Sequence, residues 1–136
     1  METRGQRNNN PLNIRRVKGF PWKGERAEIS DRSFVEFVNL EFGIRAACKL
    51  LKNYRVLYGI NTIKGIINRW APETENNTAD YILKVAGETG IERNRFLNTN
   101  RNYAKVIRAM ARIESNMDIS VAEILLIMNK YQVEPI

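Results

Sequence analysis

Histidine is absent from this 136-residue sequence and cysteine occurs once, at Cys48, which excludes the usual zinc sites, Ser/Cys–His nucleophile systems and an internal disulfide. Chemistry must then rest on carboxylates, Tyr, Ser, Asn, Lys or Arg. Among the carboxylates Glu114 stands apart. Tyr103, Val106, Ile107, Met110 and Glu114 recur at three- and four-residue steps, so on a helix they form one stripe, apolar until its last member. The partial negative charge of a helix C-terminus and the apolar neighbours both disfavour an ionised carboxylate there. A carboxyl kept protonated at neutral pH is what a general acid needs, and glycoside hydrolysis is the reaction that most often uses one. The competing expectation is a Glu114 side chain turned to solvent as the helix frays into Ser115 and Asn116. A second group of acids, Glu25, Glu28 and Asp31, falls within one short turn-rich stretch.

The elements that must position these residues are mostly helical. Residues 1–6 read as a loose polar lead-in, and 7–15, with a run of three Asn, then Pro11 and Asn13, as loop. From Val17 to Val38, Gly19, Pro21 and Gly24 mark turns and Ser33 to Phe37 alternates, which predicts a small β-hairpin lobe with its acidic tip at 24–31. The clearest helix runs from Asn39 to Tyr54 and stops by Gly59, with Phe42, Leu50, Leu51 and Tyr54 on one face. Cys48 lies inside it and reads as a small buried hydrophobe. A short helix follows over 62–70, ended by Ala71 and Pro72. Asn77 or Thr78 caps a third, carrying Tyr81, Ile82 and Val85 and ending near Gly90. The Glu114 helix comes next. Ser120 and Glu123 form a capping box that opens the last helix, with Ile124, Leu125, Ile127 and Met128 facing inward. The expected architecture is one mainly α domain (α+β) spanning 1–136, five helices with a minor extended lobe.

Composition narrows the partners. No apolar run approaches the roughly 18 residues of a bilayer span, and the first ten residues have no apolar signal core, so the expectation is a chain made in the cytoplasm without a signal peptide. The net charge of +7 favours polyanionic partners: nucleic acid, an anionic membrane surface or the acidic bacterial cell wall. The positive charge is dispersed, with no Gly-rich phosphate loop and no nucleic-acid signature, so nucleic acid is the weaker expectation. No cofactor and no metal site is implied.

Several short motifs carry a resemblance. Asn9-Asn10-Pro11-Leu12-Asn13-Ile14-Arg15, Trp22-Lys23-Gly24, Phe34-Val35-Glu36-Phe37 and Gly43-Ile44-Arg45-Ala46 running to Leu50-Leu51 resemble the middle of flagellar-type and autolysin-type N-acetylglucosaminidases. Those enzymes are relatives of the lysozyme and lytic transglycosylase superfamily. The segment from Pro72 to Val85 is similar to a lytic transglycosylase helix whose tyrosine, matched by Tyr81, sits beside the catalytic acid. In those families the catalytic Glu precedes these motifs. Here Glu114-Ser115 follows them, so the resemblance implies a circularly permuted lysozyme-like domain. The whole-chain pattern also resembles a phage and prophage family labelled virion structural protein.

The resemblance implies a peptidoglycan glycan-strand cleaving enzyme of muramidase, lytic transglycosylase or glucosaminidase type, with Glu114 as general acid. Glu28, or next Asp31, would be the second carboxylate, and Tyr81 would hold Glu114 or the substrate. Asn10, Asn13, Arg15, Trp22, Arg45 and Ser115 would contact substrate, and Trp70 offers a further apolar face. Each has a structural alternative: Trp70 and Tyr81 as core, the asparagines as loop pins, the acids as solubilising charges on a hairpin edge. The rival reading is a non-catalytic virion structural or glycan-binding protein, with other virion proteins as partners and a place in the virion or at the cell wall.

Overall fold

A computed structural model describes residues 1–72 and 77–136. Six helices follow one another: α1 (Arg4–Arg7), α2 (Leu40–Tyr58), α3 (Ile63–Trp70), α4 (Thr78–Thr89), α5 (Asn100–Ser115) and α6 (Val121–Tyr131). Each begins at a side chain that accepts a hydrogen bond from an otherwise unpaired N–H of the first turn, from Thr3, Asn39, Thr62, Asn77, Thr99 and Ser120 in turn. Gly59 and Gly90 end α2 and α4 in the left-handed conformation, and Asn116 ends α5 the same way.

The centre of the molecule is α5. Tyr103, Ala104, Val106, Ile107, Ala109, Met110 and Ala111 are all completely buried, because α1, α2, α4 and α6 each pack against it. A helix surrounded on so many sides needs small residues where neighbours come closest, and the alanines supply them. The remaining layers follow from pairs: α3 lies on α4, and α6 on α2. Cys48 is fully buried in α2, its thiol pushed up to about 12 by burial, so it acts as a small core residue.

The lead-in is not loose. Thr3 and Gln6 exchange side-chain and backbone hydrogen bonds in a capping box, making α1 a single helical turn before the loop.

The expected β-hairpin does not form. Among the described residues only two single antiparallel bridges join the lobe, Arg15 with Phe34 and Glu25 with Phe37. The physical reason is Glu36. Val35, Glu36 and Phe37 are all buried, so the alternation that a half-exposed strand requires is broken. Glu36 turns inward and accepts from Ser30 N (2.8 Å), Asp31 N (2.7 Å), the Ser30 hydroxyl and Arg16 Nη2 (2.9 Å), with Arg26 Nη1 at 3.5 Å. Burial alone would raise its pKa, but these donors outweigh it and hold the carboxyl at about 2. The lobe is thus wound around one carboxylate instead of being laddered by backbone pairing.

Asparagines complete the winding. Asn10, fully buried, donates Nδ2 to Ile14 O (3.1 Å) and Val35 O (2.9 Å) and accepts from Ile14 N (3.0 Å). Asn9 and Asn13 both adopt positive φ, near 52°, which asparagine tolerates better than most side chains. Leu12, Val35 and Phe37 are thereby driven into the core.

Candidate functional site

The end of α5 is where the lobe and the bundle meet. Thr3 Oγ1 donates to Ser115 O (2.8 Å), Gln6 Nε2 donates to both Ser115 O and Asn116 O (3.1 Å each), and Asn13 Nδ2 donates to Glu114 O (2.9 Å). Ser115, fully buried, donates its hydroxyl to Asn10 O (3.1 Å) and Pro11 O (2.8 Å). These contacts satisfy the carbonyls that a helix C-terminus leaves open and fix the direction in which Glu114 leaves the helix. The fraying expected at Ser115 and Asn116 does not occur.

Two donors then converge on one carboxylate oxygen. Trp70 Nε1 donates to Glu114 Oε2 at 2.9 Å and the Tyr81 hydroxyl donates to the same atom at 2.8 Å. Tyr81 is nearly buried, and its phenol is pushed far up, first by burial and then by the charge and hydrogen bond of Glu114, so it stays protonated and remains a donor. Glu114 Oε1 takes no hydrogen bond from the described residues.

Glu114 forms part of the wall of an open cavity of about 470 Å³, together with Asn13, Ile14, Arg15, Val17, Trp22, Phe34, Leu50, Tyr54, Arg69, Trp70 and Ala71. The size suits a few sugar rings or a drug-sized ligand, and the lining mixes aromatic faces (Trp22, Phe34, Tyr54, Trp70) with polar and charged groups in about equal measure. Glu114 is the one carboxylate in that wall among the described residues.

The residues singled out by sequence fall into two sets. Glu114, Tyr81, Asn13, Arg15 and Trp22 are brought together, with Tyr81 touching Glu114 from behind and the others lining the cavity. Glu28 and Asp31 are not in that wall. Glu28 is exposed, while Asp31 accepts from Asn8 Nδ2, Ser33 N and Phe34 N (3.0 Å each) and pairs with Arg4 at 3.5 Å. Burial would raise the Asp31 pKa, but these contacts outweigh it and lower it, so its lone pairs are spent on holding the loop. Asn10 and Ser115 are buried pins of the lobe and the helix end, and Arg45 on α2 does not line the cavity.

Trp70 as a direct partner of Glu114, and Tyr54, Phe34, Leu50 and Arg69 as lining, went unrecognised in the sequence. The one signal for Trp70 and Arg69 was their adjacency at the end of a short helix, just before Pro72. The segment Glu73 to Asn76, part of the transglycosylase-like motif, lies outside the described residues. No described helix is long and apolar enough to cross a membrane.

No protein-family model matches the chain. It is 49% identical over 114 residues to Protein P5 of Pseudoalteromonas phage PM2, an alignment covering 82% of this chain and 71% of that protein. Identity at that level over most of both chains is shared ancestry, and the chain belongs to the family of this phage protein.

Proposed function

We propose that this phage-family protein binds a glycan strand of the bacterial cell wall in the Glu114 cleft and cuts it, with Glu114 as the proton donor. The observation that carries this reading is the convergence of Trp70 Nε1 and Tyr81 OH on Glu114 Oε2 within an aromatic-lined cavity. With both donors on one oxygen, the other has no hydrogen-bond partner among the described residues and is left for a ligand. Trp22, Trp70 and Tyr54 offer flat apolar surfaces of the kind on which sugar rings pack. The motif resemblance to lysozyme-like enzymes, permuted in order, supports the same reading.

The placement of Glu28 and Asp31 away from the cavity argues against a two-carboxylate mechanism and toward a one-carboxylate route. Glu114 would protonate the glycosidic oxygen as the C–O bond breaks. The resulting carboxylate would then take a proton from the incoming nucleophile, either water or the C6 hydroxyl of the same sugar. The first nucleophile gives a reducing end and the second a 1,6-anhydro sugar, so the product identifies the route.

A second reading is a non-catalytic structural component of the phage particle, seated against other virion proteins or on glycan. The relationship to a phage protein weighs toward it, as does the absence of a second carboxylate from the described cavity wall. Zymography on purified cell walls separates the two. Clearing by the wild type but not by Glu114→Gln is expected from the enzyme. Equal clearing by both removes Glu114 from the mechanism, and binding to sacculi without release of reducing ends or anhydro products establishes the structural reading.

A further inference from the structure

The cleft carries positive charge that the protein does not neutralise. Arg15 and Arg69 both line it, both are exposed, and neither meets an acid among the described residues. Five other arginines, Arg4, Arg16, Arg26, Arg108 and Arg112, each pair with a carboxylate, so what sets Arg15 and Arg69 apart is their shared place in the cavity wall and not the lack of an acid alone. In the cleft the guanidinium groups are held by rings instead. Arg15 lies 4.8 Å from the centroid of Phe34, and Arg69 lies 3.8 Å from that of Tyr58 and 5.3 Å from that of Tyr54. A ring holds a guanidinium by its face and leaves donors at its edge; Arg69 spends part of that edge on the Tyr54 hydroxyl, and the remaining N–H groups of the two cations are pre-positioned for an anion.

Their chain positions tie them to the carboxylate. Arg69 precedes Trp70, which donates to Glu114 Oε2, and Arg15 is two residues beyond Asn13, which donates to Glu114 O. Two cations around one acid suit isolated carboxylates spaced along a ligand. A continuous polyphosphate would call for an unbroken row of cations.

We propose that Arg15 and Arg69 make this cleft selective for carboxylate-bearing glycan, through the lactyl groups or the stem peptides of muramyl residues, over neutral amino-sugar polymer. This rests on the glycan reading above and narrows its substrate class. The bond formed is a charge-assisted, bidentate-capable pair, which lysine reproduces only in charge.

The test is equilibrium binding by calorimetry to the Glu114→Gln chain, which leaves the ligand intact. Three ligands of equal length are compared: neutral N-acetylglucosamine oligomer, amidase-stripped glycan with free lactyl carboxylates, and glycan with its peptides. We expect at least one carboxylate-bearing ligand to bind about tenfold more tightly than the neutral oligomer at low salt, the preference shrinking as salt rises. Preference for stripped glycan assigns the lactyl source, and preference for peptide-bearing glycan alone assigns the stem. Changing Arg15→Gln and Arg69→Gln together should reduce the preference to about twofold or less, and the Lys pair should fall between, with circular dichroism confirming the fold. Equal wild-type-like affinity for neutral and anionic oligomers overturns the inference and leaves the glycan reading standing, as does a preference that survives both Gln changes. Failure to bind any glycan ends both, and tighter binding to single-stranded DNA than to every glycan replaces the ligand altogether.

Discussion

Replacing Glu36 by Gln tests how the lobe is held. The side chain is 1% exposed and accepts from two backbone N–H groups, a hydroxyl and an arginine, with a second arginine nearby. A glutamine keeps one accepting oxygen and turns an NH2 group toward donors. A carboxyl that ordinarily titrates at 4.5 and is held here at about 2 represents up to roughly 3 kcal/mol at neutral pH, and nearer 1–2 once solvent screening around an open lobe is allowed for. Donors left buried and unpaired by Gln add roughly 1–3 kcal/mol more. Because the folded-state pKa is depressed, this stabilisation is complete above pH 4.5 and is lost as the pH falls through the window down to about 2. Urea unfolding of the wild type and Glu36→Gln at neutral pH and near pH 3 should show a gap that narrows by about 1–2 kcal/mol at the acid condition. A gap that is absent at neutral pH, or the same at both, would show that the lobe does not depend on this carboxylate.

Other perturbations bear on other parts of the structure. A Cβ on Gly43 would stand 1.8 Å from the backbone oxygen of Asn9, so Gly43→Ala should cost about 3 kcal/mol or more; an unchanged thermal midpoint refutes that packing. Ser115→Ala removes the one donor shared by two loop carbonyls and should lower stability by about 1–3 kcal/mol, read by denaturant titration; unchanged stability would show that the loop does not depend on this hydroxyl. Tyr81→Phe removes one of the two donors to Glu114 Oε2 and, on the proposed function, should reduce wall cleavage about tenfold while the chain stays folded; undiminished cleavage would remove Tyr81 from the site. The Cys48 thiol, buried and raised to about 12, should resist aromatic disulfide reagents at neutral pH until urea unfolds the chain, and rapid native-state reaction would contradict its placement.

Helix ends were legible because they are written locally. Gly59, Gly90, Thr62, Asn77 and Ser120 mark termini that fall where side-chain caps and left-handed glycines place them. The Glu114 stripe was legible for a similar reason, since its spacing alone puts Tyr103, Val106, Ile107 and Met110 on the buried face. The turn at Arg4–Arg7 was not, because four residues without an apolar stripe take their order from the far-off end of α5. The lobe was misread because alternation around Glu36 looks the same whether that residue faces water or, as here, two arginines and a turn. Trp70 reaches Glu114 across 44 residues, a pairing no local pattern encodes, and the 33-residue reach of Tyr81 was expected only through the motif resemblance. Asn10 and Ser115 were read as ligand contacts although their polar atoms are consumed by backbone groups.

The clasp between Thr3 and Ser115 spans 112 residues of sequence. During synthesis the ribosome releases the lobe long before the helix that it grips exists, so the early portion must wait as an unclosed, partly apolar loop. Long-range closure of this kind slows folding and leaves a window for chaperones or for premature self-association. A chain released just short of residue 115 should therefore be far more protease-sensitive than the 136-residue chain, in which the outer turn of the molecule can finally snap shut.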